Sequence, residues 1–481
     1  MSDSRKKTKI VATLGPSTNT KKILKALIEE GADVFRINFS HANYDDVAER
    51  INQIRELNEE FGYNVAILAD LQGPKLRVGV MGNEVVVSQG DQITFETGKA
   101  FKGSNKRIYM TYDNFPKDVK PGERILLDDG KLIFKVLETD KNTKVLTEVL
   151  QGGPLRSKKG VNLPNTNISQ PAMTEKDISD ALFAIEQKVD WIALSFVRQP
   201  EDLIQLEELI KKNTDHKIPI IAKIEKPEAV ENIDKLVAYC DGLMVARGDL
   251  GVEIPAEEVP LIQKQLVLRA KRARIPVIIA TQMMESMISS LTPTRAEVND
   301  VANSVMDGAD AVMLSGETSV GKYPVQVIKQ MANIIKSVEN SPLIQVPQEP
   351  PHIRTKRYIT KSVCYHAALM ANEINAKAIS TLTNSGYTAF QISAWRPEAH
   401  ILVFTSNKRI LTQLNLLWGV AAFYYDKYVS TDETIDDVNA IACKKGFLEV
   451  GDMLISLAAM PIQAKGMVNT LRVTEIESCN F

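Results

Sequence analysis

Three charged side chains, Lys223, Glu225 and Asp249, stand at the ends of two apolar runs near the middle of the sequence. The runs, Ile218 to Ile224 and Gly242 to Ala246, are joined by an amphipathic segment, so we predict a βαβ unit. Side chains alternate along a strand, and a crossover brings the next parallel strand alongside. The cation and the two carboxylates should therefore converge at one strand edge. A purely structural Lys–Glu pair would give the same pattern.

This combination of residues suits magnesium-assisted phosphoryl transfer. Glu225 and Asp249 offer hard oxygen ligands that leave positions on Mg²⁺, or on Mn²⁺, for substrate phosphate and water. Lys223 would place an ammonium where a transferred phosphoryl group develops negative charge. The five histidines are remote in sequence and the four cysteines lack CxxC spacing, so we expect no zinc site, no disulfide framework and buried thiols.

The composition is that of a soluble globular protein. The chain has 481 residues, of which 44% are hydrophobic and 25% are charged, with a net charge of −2. Its length predicts about three domains, and its charge argues against binding to nucleic acid or to an anionic membrane. The basic amino terminus leads into no apolar signal segment and no later run is long enough to cross a bilayer, so we expect a cytoplasmic protein.

Eight short apolar runs alternate with helical patterns before residue 341. None of the runs has a clean polar face, which is typical of parallel strands buried on both sides. Eight such strands close a (β/α)₈ TIM barrel, so we predict an α/β fold of that kind. The predicted strands are Lys9 to Ala12, Asp33 to Ile37, Val65 to Ala69, Trp191 to Ser195, Ile218 to Ile224, Gly242 to Ala246, Pro276 to Ala280 and Ala311 to Leu314.

Polar residues cluster at the carboxyl ends of these strands, where barrel enzymes keep their chemistry. In the segment ARGDLG, Gly248 would let the backbone approach a ligand, and free amides at a short helix start would bind a carboxylate. The hydroxyl of Thr281 could join them, although a β-branched residue that closes a strand explains Thr281 equally well. The strand-end residues are Arg36, Asn38, Ser40, Asp70, Ser195, Arg198, Lys223, Glu225, Arg247, Asp249, Thr281, Gln282, Ser315 and Glu317.

The alternation is interrupted after the third strand. About a hundred residues precede the next helix, whereas a βα loop usually has about two to six, and their pattern is β-like. We predict an inserted small all-β domain, a β-barrel, over residues 75–170, which splits the TIM barrel into residues 1–74 and 171–341. It could act as a lid that excludes water, or be an inert insertion. A proline-rich linker leads to a three-layer α/β domain over residues 356–481.

Ten motifs spread over all three predicted domains carry a family resemblance. They are KTKIVATLGPS, FRINFSHA, ADLQGPKLR, KKGVNLP, LSFVR, IAKIEKPEAV, MVARGDLGVEIP, IIATQMMESM, PTRAEVNDVANSVMDGADAVMLSGETSVGKYP and TNSGYTA. From end to end the chain resembles the pyruvate kinases. The resemblance implies a TIM barrel with a β lid and a regulatory C-terminal domain. It also implies a homotetramer that transfers the phosphoryl group of phosphoenolpyruvate to ADP, giving ATP and, after protonation of the enolate, pyruvate.

The resemblance implies a role for each matching residue. Lys223 corresponds to the lysine that stabilises the phosphoryl group in flight, and Glu225 and Asp249 correspond to the ligands of Mg²⁺. Thr281 and Ser315 would lie near the path by which water delivers the proton. The substrate contacts would be Arg36, Lys223, Gly248, Asp249 and Thr281. The positions around the nucleotide and its phosphates would be Asn38, His41, Arg77 and Lys159.

Two residues depart from the family pattern around the potassium site. Many members bind K⁺ through residues equivalent to Asn38, Ser40 and Asp70 together with a threonine, and have a glutamate close by. Here Leu71 takes the threonine position and Lys75 the glutamate position. We hypothesise that the Lys75 ammonium supplies the charge that potassium would otherwise give, so that K⁺ is not required. A solvated lysine of the lid is the alternative.

The C-terminal segment TNSGYT resembles the phosphate loop of family members that respond to fructose 1,6-bisphosphate. Thr383, Ser385, Gly386 and Thr388 would hold a phosphate there, but the later loop that should add basic residues offers only Lys465. A sugar phosphate or a nucleotide is therefore a candidate effector.

Two other functions fit parts of the pattern. A magnesium-dependent lyase or aldolase that acts on a 2-oxo acid would explain Glu225 and Asp249, but not the lid, Arg77 or Lys159. A non-catalytic sensor of phosphorylated metabolites would keep the fold without needing Lys223.

Overall fold

The computed structural model describes residues 5–82, 85–341, 357–427, 430–460 and 467–479, apart from the side chains of residues 41, 431 and 432. The chain begins with three strands and the two helices between them. Thr20 caps the first helix by accepting a hydrogen bond from the Ile23 amide, and Gly31 ends it at a φ of +118°, which glycine adopts without a Cβ clash. The elements are β1 (Lys9–Thr13), α1 (Lys21–Glu30), β2 (Val34–Asn38), α2 (Tyr44–Phe61) and β3 (Ala66–Asp70).

The interruption after β3 is rich in β-structure. Its elements are β4 (Val86–Val87), β5 (Gln92–Glu96), β6 (Arg107–Tyr109), α3 (Phe115–Asp118), β7 (Arg124–Leu127), β8 (Leu132–Thr139), β9 (Lys144–Gln151), β10 (Gly153–Pro154) and β11 (Val161–Asn162). Six strands form one sheet in the order β11-β7-β8-β9-β5-β6, and β4 pairs with β10. Alternate residues of β8 are buried in a core of their own, which contains Phe95, Phe115 and Phe134. This inserted part is called the lid below.

The chain then completes the barrel. Its elements are α4 (Glu175–Glu186), β12 (Trp191–Leu194), α5 (Pro200–Asn213), β13 (Ile220–Ile224), α6 (Pro227–Glu231), α7 (Ile233–Leu236), β14 (Gly242–Ala246), α8 (Arg247–Glu253), α9 (Val259–Ala273), β15 (Val277–Ala280), α10 (Arg295–Asp307), β16 (Ala311–Leu314), α11 (Gly316–Ser319) and α12 (Pro324–Glu339). The amphipathic segment that joins β13 to β14 forms two helices, α6 and α7. Asn232 ends the first and begins the second, and its side chain donates to the Arg198 carbonyl.

Eight parallel strands close into the predicted barrel, in the order β1-β16-β15-β14-β13-β12-β3-β2. Every residue of β1, β13 and β14 is buried, as expected for strands covered on both faces. One set of alternate side chains packs against the surrounding helices. The other set, which includes Val11, Trp191 and Met244, packs together with Leu416 of the C-terminal part. The predicted fold class is thus confirmed.

The C-terminal part contains a five-stranded sheet with helices around it. Its elements are α13 (Tyr358–Glu373), β17 (Ala378–Leu382), α14 (Tyr387–Ala394), β18 (His400–Thr405), α15 (Lys408–Gln413), β19 (Val420–Tyr424), α16 (Thr431–Lys444), β20 (Met453–Ala458) and β21 (Thr470–Glu475). The strand order is β19-β18-β17-β20-β21, and only β21 runs antiparallel to its neighbour in this described sheet. No helix in the described ranges combines the length and apolar character needed to span a bilayer.

The prediction that all four cysteines are thiols is wrong for one pair. Cys443 and Cys479 form a disulfide across 36 residues, with their Cα atoms 5.7 Å apart. The fold brings the end of α16 next to the segment after β21, a proximity that no local spacing in the sequence reveals. Cys240 and Cys364 are free and buried, as predicted.

Candidate active site

Lys223 lies at the centre of a buried charge cluster at the carboxyl end of β13. Its Nζ lies 2.9 Å from Oε1 of Glu225 and 3.1 Å from Oδ1 of Asp70, and it donates a hydrogen bond to Oγ of Ser195 at 2.6 Å. Asp70 and Glu225 are each 1% exposed and Lys223 is 9% exposed. The cluster therefore joins the ends of the neighbouring strands β3, β12 and β13.

Arg36 engages the other oxygen of Asp70. Its Nε donates to Oδ2 of Asp70 at 2.6 Å, and its Nη1 donates to Oγ1 of Thr13 at 3.0 Å. Thr13 in turn donates to the carbonyl oxygen of Leu314 at 2.8 Å. This chain of contacts fixes the guanidinium at the strand ends, next to Lys223.

Lys223 and Asp70 keep each other ionised. Burial opposes the charge of Lys223, but the carboxylates of Asp70 and Glu225 outweigh burial and raise the pKa of Lys223 above its ordinary value. Burial also acts to raise the pKa of Asp70, yet Lys223 and Arg36 outweigh it and lower that pKa. The site thus presents a fixed ammonium and a fixed guanidinium, which can stabilise negative charge that develops on a phosphoryl group.

Glu225 differs from Asp70 because a second carboxylate lies close to it. Burial raises the pKa of Glu225 and, although Lys223 opposes this, the carboxylate of Asp249 adds to the rise. Its Oε2 accepts a hydrogen bond from the Phe196 amide at 2.8 Å. Asp249, in the first turn of α8, lines a crevice of about 40 Å³ between the barrel and the lid.

The two carboxylates fit the needs of a magnesium ion. Among the residues that the structure describes, no group of three or more His, Cys, Asp or Glu side chains is placed to hold a metal by itself. Mg²⁺ needs only one or two carboxylates when substrate phosphate and water complete its coordination. Asp249 lines the crevice and repels the buried carboxylate of Glu225, so a divalent cation between the two would relieve the repulsion. A structural zinc site, which is closed by four protein ligands, does not fit.

Thr281 and Gly248 contact each other across the ends of β14 and β15. The Gly248 amide donates to Oγ1 of Thr281 at 2.7 Å. Thr281 has a φ of +69° and Gln282 a φ of +55°, and a β-branched residue in this left-handed region is strained. A Cβ added to Gly248 would lie 3.2 Å from Oγ1 of Thr281, so glycine leaves room that alanine would fill.

Arg247 stabilises the turn that contains Thr281 and Gln282. Its Nη1 and Nη2 donate to the two carboxylate oxygens of Asp300, at 2.6 Å and 2.7 Å, and Nη2 also donates to the Thr281 carbonyl at 2.8 Å. Such a bidentate pair holds Thr281 in its unusual conformation. The sequence indicated the position of Arg247 at a strand end but gave no sign of this partner.

Ser315 follows the last barrel strand. Its amide donates to Oε2 of Glu317 at 2.7 Å, and the amide of Met284 donates to Oε1 of the same carboxylate at 3.1 Å. Glu317 is 2% exposed, and burial raises its pKa. It thereby ties together the loops that carry Thr281 and Ser315, a positioning role that the sequence pattern did not reveal.

The residues of the predicted potassium region lie on three different segments. Oδ1 of Asn38 accepts a hydrogen bond from the Ser40 amide at 3.1 Å in the turn after β2. Leu71 is 1% exposed, and its carbonyl accepts a hydrogen bond from Ser195 at 2.7 Å. Lys75 is exposed and lines the same crevice as Asp249.

Arg77 and Lys159 belong to the lid rather than to the buried cluster. Nη1 of Arg77 donates to the carbonyl of Lys158 at 2.9 Å, which places the two predicted nucleotide contacts on adjacent segments. Nζ of Lys159 lies 2.8 Å from Oδ1 of Asp128, and the hydrogen bond from Lys159 lowers the pKa of Asp128. The side chain of His41 lies outside the described part of the chain.

The segment TNSGYT forms the turn between β17 and α14. The Gly386 amide donates to Oγ1 of Thr383 at 3.1 Å, and Gly386 has a φ of +77°. Thr388 is 4% exposed, and its hydroxyl lies 3.1 Å from that of Thr381. Ser385 is exposed. Lys465, like the proline-rich linker, lies outside the described residues.

Arg198 anchors the lid where it returns to the barrel. Its guanidinium donates to the carbonyl oxygens of Ile168 and Gln170, the latter at 2.6 Å. These acceptors are backbone atoms, so the sequence could place Arg198 at a strand end but could not identify what it binds.

Two family models match this chain. The model described as "Pyruvate kinase, barrel domain" matches residues 5–328, and "Pyruvate kinase, alpha/beta domain" matches residues 361–474. The pyruvate kinase of Corynebacterium glutamicum is 42% identical over 468 residues, which are 97% of each chain. That of Geobacillus stearothermophilus is 41% identical over 98% of this chain and 80% of its own. A crystal structure of a pyruvate kinase from Cryptosporidium parvum superposes with a TM-score of 0.91 at 32% identity, covering 98% of this chain and 96% of that one.

Proposed function

The chain belongs to the pyruvate kinase family, and from this premise we propose that it transfers the phosphoryl group of phosphoenolpyruvate to ADP, the last step of glycolysis. The products are ATP and pyruvate. The observation that supports this most directly is the buried cluster in which Asp70 and Glu225 keep Lys223 charged. A phosphoryl group in transfer needs such fixed positive charge more than it needs a covalent partner.

The carboxylate of phosphoenolpyruvate would be bound at the start of α8. The amide of Asp249 would supply a donor there. The Gly248 amide, which now donates to Thr281 Oγ1, and the Thr281 hydroxyl, which now donates to the Ala280 carbonyl, would exchange these partners for the carboxylate oxygens. Arg36, which Asp70 orients, would bind phosphoryl oxygens together with Lys223.

In the transfer step, the bond between phosphorus and the enol oxygen breaks while a terminal oxygen of ADP bonds to phosphorus. Lys223 stabilises the negative charge on the group that moves. Glu225 and Asp249 would hold Mg²⁺, or Mn²⁺, which when bound neutralises phosphate oxygens and orients them. The electron pair of the broken bond remains on the enolate.

The enolate then takes up one proton at its methylene carbon and becomes pyruvate. We propose that the hydroxyls of Thr281 and Ser315 line the path by which water delivers this proton. Glu317 supports the proposal, because its carboxylate binds backbone amides in both loops that carry them.

The nucleotide would bind between the barrel and the lid. Asn38 and His41 from the barrel, with Arg77 and Lys159 from the lid, would surround the phosphates of ADP or ATP. Closure of the lid over them would exclude water, which otherwise competes with ADP for the phosphoryl group.

We propose further that turnover does not require K⁺. Leu71 has no hydroxyl to offer a monovalent cation, and Lys75 brings a positive charge to the crevice that Asp249 lines. That charge would replace the ion near the anionic substrates, while Asn38, Ser40 and Asp70 keep the positions that bind potassium in other family members.

Three further features are proposed on the strength of the family. The catalytic barrel would comprise residues 1–74 and 171–341, the β-barrel lid residues 75–170 and the regulatory domain residues 356–481. A sugar phosphate or nucleotide would bind as effector at Thr383, Ser385, Gly386 and Thr388. The family implies a homotetramer, and a role in glycolysis implies a cytoplasmic location.

A coupled assay for ATP formed from phosphoenolpyruvate and ADP tests the function. We expect ATP from the wild type in the presence of Mg²⁺, and a loss of about 10²- to 10³-fold in kcat for Lys223→Met. Lys211→Met, at an exposed position of α5, is the control and should leave kcat unchanged. Release of pyruvate without ADP would indicate a lyase instead. Binding of phosphoenolpyruvate without turnover would indicate a sensor.

A further inference from the structure

A small cavity lies where the end of α9 meets the C-terminal part. Its volume is about 10 Å³, enough for one particle about the size of a water molecule. Three cations line it, Lys271 and Arg274 from the barrel and Arg396 from the segment after α14. The one carboxylate in the lining is that of Asp310. The cavity therefore has more positive than negative side chains around it.

Two buried donors at this cavity have no acceptor in the described part of the chain. They are Nζ of Lys271 and Nε of Arg396. The other nitrogens of Arg396 are engaged: Nη2 lies 2.9 Å from Asp310, and Nη1 donates to the carbonyl of Ser393 at 2.7 Å. A buried donor without an acceptor is costly, so something outside the protein should accept hydrogen bonds from these two.

The nearby carboxylates already have hydrogen-bond partners. Oδ2 of Asp310 also accepts a hydrogen bond from the Val277 amide at 3.0 Å. Asp307, on α10, accepts hydrogen bonds from Gln263 and Lys264. Neither is within ion-pair distance of Lys271 among the described contacts.

The charges around the cavity also favour an anion there. Burial and, to a smaller extent, Arg396 lower the pKa of Lys271 to about 6, against the opposing effect of the carboxylates of Asp310 and Asp307. Burial also lowers the pKa of Arg274, whose guanidinium lies 3.8 Å from the centre of the Trp395 ring. An anion placed between these cations would offset both effects, whereas a water molecule would satisfy the donors but not the charge.

We propose that this cavity binds one small monovalent anion of chloride size, held by Nζ of Lys271 and Nε of Arg396. The small volume of the cavity favours a monoatomic anion over phosphate, sulfate or a carboxylate. Because one ligand comes from the barrel and the other from the C-terminal part, the bound anion fastens the two together. Binding also favours the ammonium form of Lys271, so the site takes up protons with the anion. The proposal does not depend on the catalytic function.

Thermal unfolding at constant ionic strength tests the proposal. The wild type is heated in mixtures of potassium chloride and potassium gluconate, and we expect its Tm to rise with chloride along a saturating curve. Lys271→Met removes the cation at nearly constant volume and should abolish the chloride response. Arg269→Met removes a partly exposed cation on the same helix, whose partner Asp234 does not line the cavity; it is the matched control and should retain the response. Equal chloride responses in wild type and Lys271→Met would overturn the proposal.

Two measurements on the wild type decide the matter even if Lys271→Met does not fold. Addition of chloride to lightly buffered protein at pH 7 should raise the pH, because Lys271 takes up a proton. Crystals grown in sodium bromide should show an anomalous bromine peak between Lys271 and Arg396. Absence of both signals, with a water molecule in the cavity, would refute anion binding.

Discussion

Asn162 of the lid donates a hydrogen bond to Oε1 of Glu253 at 2.8 Å, and the same oxygen lies 2.6 Å from Nζ of Lys226. Lys226 and Glu253 are each 6% exposed, and Oε2 of Glu253 has no hydrogen-bond partner within the described ranges. Glu253 ends α8, the helix that begins near Gly248, and Lys226 directly follows Glu225. One buried carboxylate therefore connects the lid to both segments that carry the proposed metal ligands.

Asn162→Ala should destabilise the position that the lid takes against the barrel in this structure. A hydrogen bond to a charged group contributes about 1.5–3 kcal/mol, so its loss should shift the balance between lid positions by at least about tenfold. We expect a higher KM for ADP with a smaller change in the KM for phosphoenolpyruvate, because the proposed nucleotide contacts Arg77 and Lys159 belong to the lid.

Steady-state kinetics with each substrate varied in turn measure this effect. Asn142→Ala, at the exposed turn between β8 and β9, changes the same residue type in the lid without touching Glu253. A KM for ADP that responds equally in both variants would show that the Asn162 contact does not position the lid.

Gly248→Ala should impair binding of the substrate carboxylate. The new methyl group would lie 3.2 Å from Oγ1 of Thr281, a group held in a strained conformation that cannot move freely. We expect the KM for phosphoenolpyruvate to rise about tenfold or more, since displacement of one donor costs about 1.5 kcal/mol. The KM for ADP should change less.

Gly251→Ala provides the matched control on the same helix. Its methyl group would lie 3.5 Å from a side-chain carbon of Val259, an ordinary contact, and alanine favours helix. We expect wild-type kinetics and equal or greater thermal stability. Similar kinetic defects in the two variants would mean that the backbone of α8, rather than the space beside Thr281, limits the enzyme.

The barrel could be predicted from the sequence because each strand is an apolar run followed by polar residues, and the number of runs matches one closed architecture. Local signals also defined the helix ends, as at Thr20 and Gly31. The Cys443–Cys479 pair could not be predicted, because it depends on how α16 packs beside the end of the chain. The division of the segment after Glu225 into two helices depends on the contact between Asn232 and the Arg198 carbonyl, which lies in another loop.

Within the site, residue types predicted the charges but not how they pair. Lys223 and Glu225 share a strand face, so their proximity follows from alternation. The engagement of Asp70 by both Lys223 and Arg36 required the strand order of the closed barrel. The contact between Asn162 and Glu253 lies further from any sequence signal, because it joins two domains.

Asp70→Asn should alter the pH dependence of catalysis. Asp70 and Glu225 raise the pKa of Lys223, so removal of one carboxylate lowers that pKa. Lys223 would then lose its proton at a lower pH, and the alkaline limb of the kcat/KM profile should move towards neutral pH. We also expect a loss of about 10- to 100-fold in kcat/KM at pH 7, because Arg36 loses its partner.

Profiles of kcat/KM between about pH 7 and 12 check this expectation, because the pKa of Lys223 in the wild type lies above the ordinary value for lysine. Asp190→Asn changes a buried aspartate at the opposite end of the barrel, where it accepts a hydrogen bond from the Ile67 amide. This control should lower stability and leave the alkaline limb in place. An alkaline limb that stays unmoved in Asp70→Asn would mean that Lys223 is not the group whose ionisation limits activity.

Lys75→Glu should make the enzyme depend on potassium. With the positive charge replaced by a negative one, a monovalent cation would be needed to offset the carboxylates around the crevice, among them Asp249. We expect the wild type to be equally active in sodium-only and in potassium buffers. The activity of the variant should be nearly lost in sodium and should recover at least about tenfold when K⁺ is added.

Lys99→Glu, an exposed charge reversal elsewhere in the lid, is the control and should be equally active in sodium and in potassium buffers. A strict potassium requirement in the wild type would show that Lys75 is only a solvated lysine of the lid.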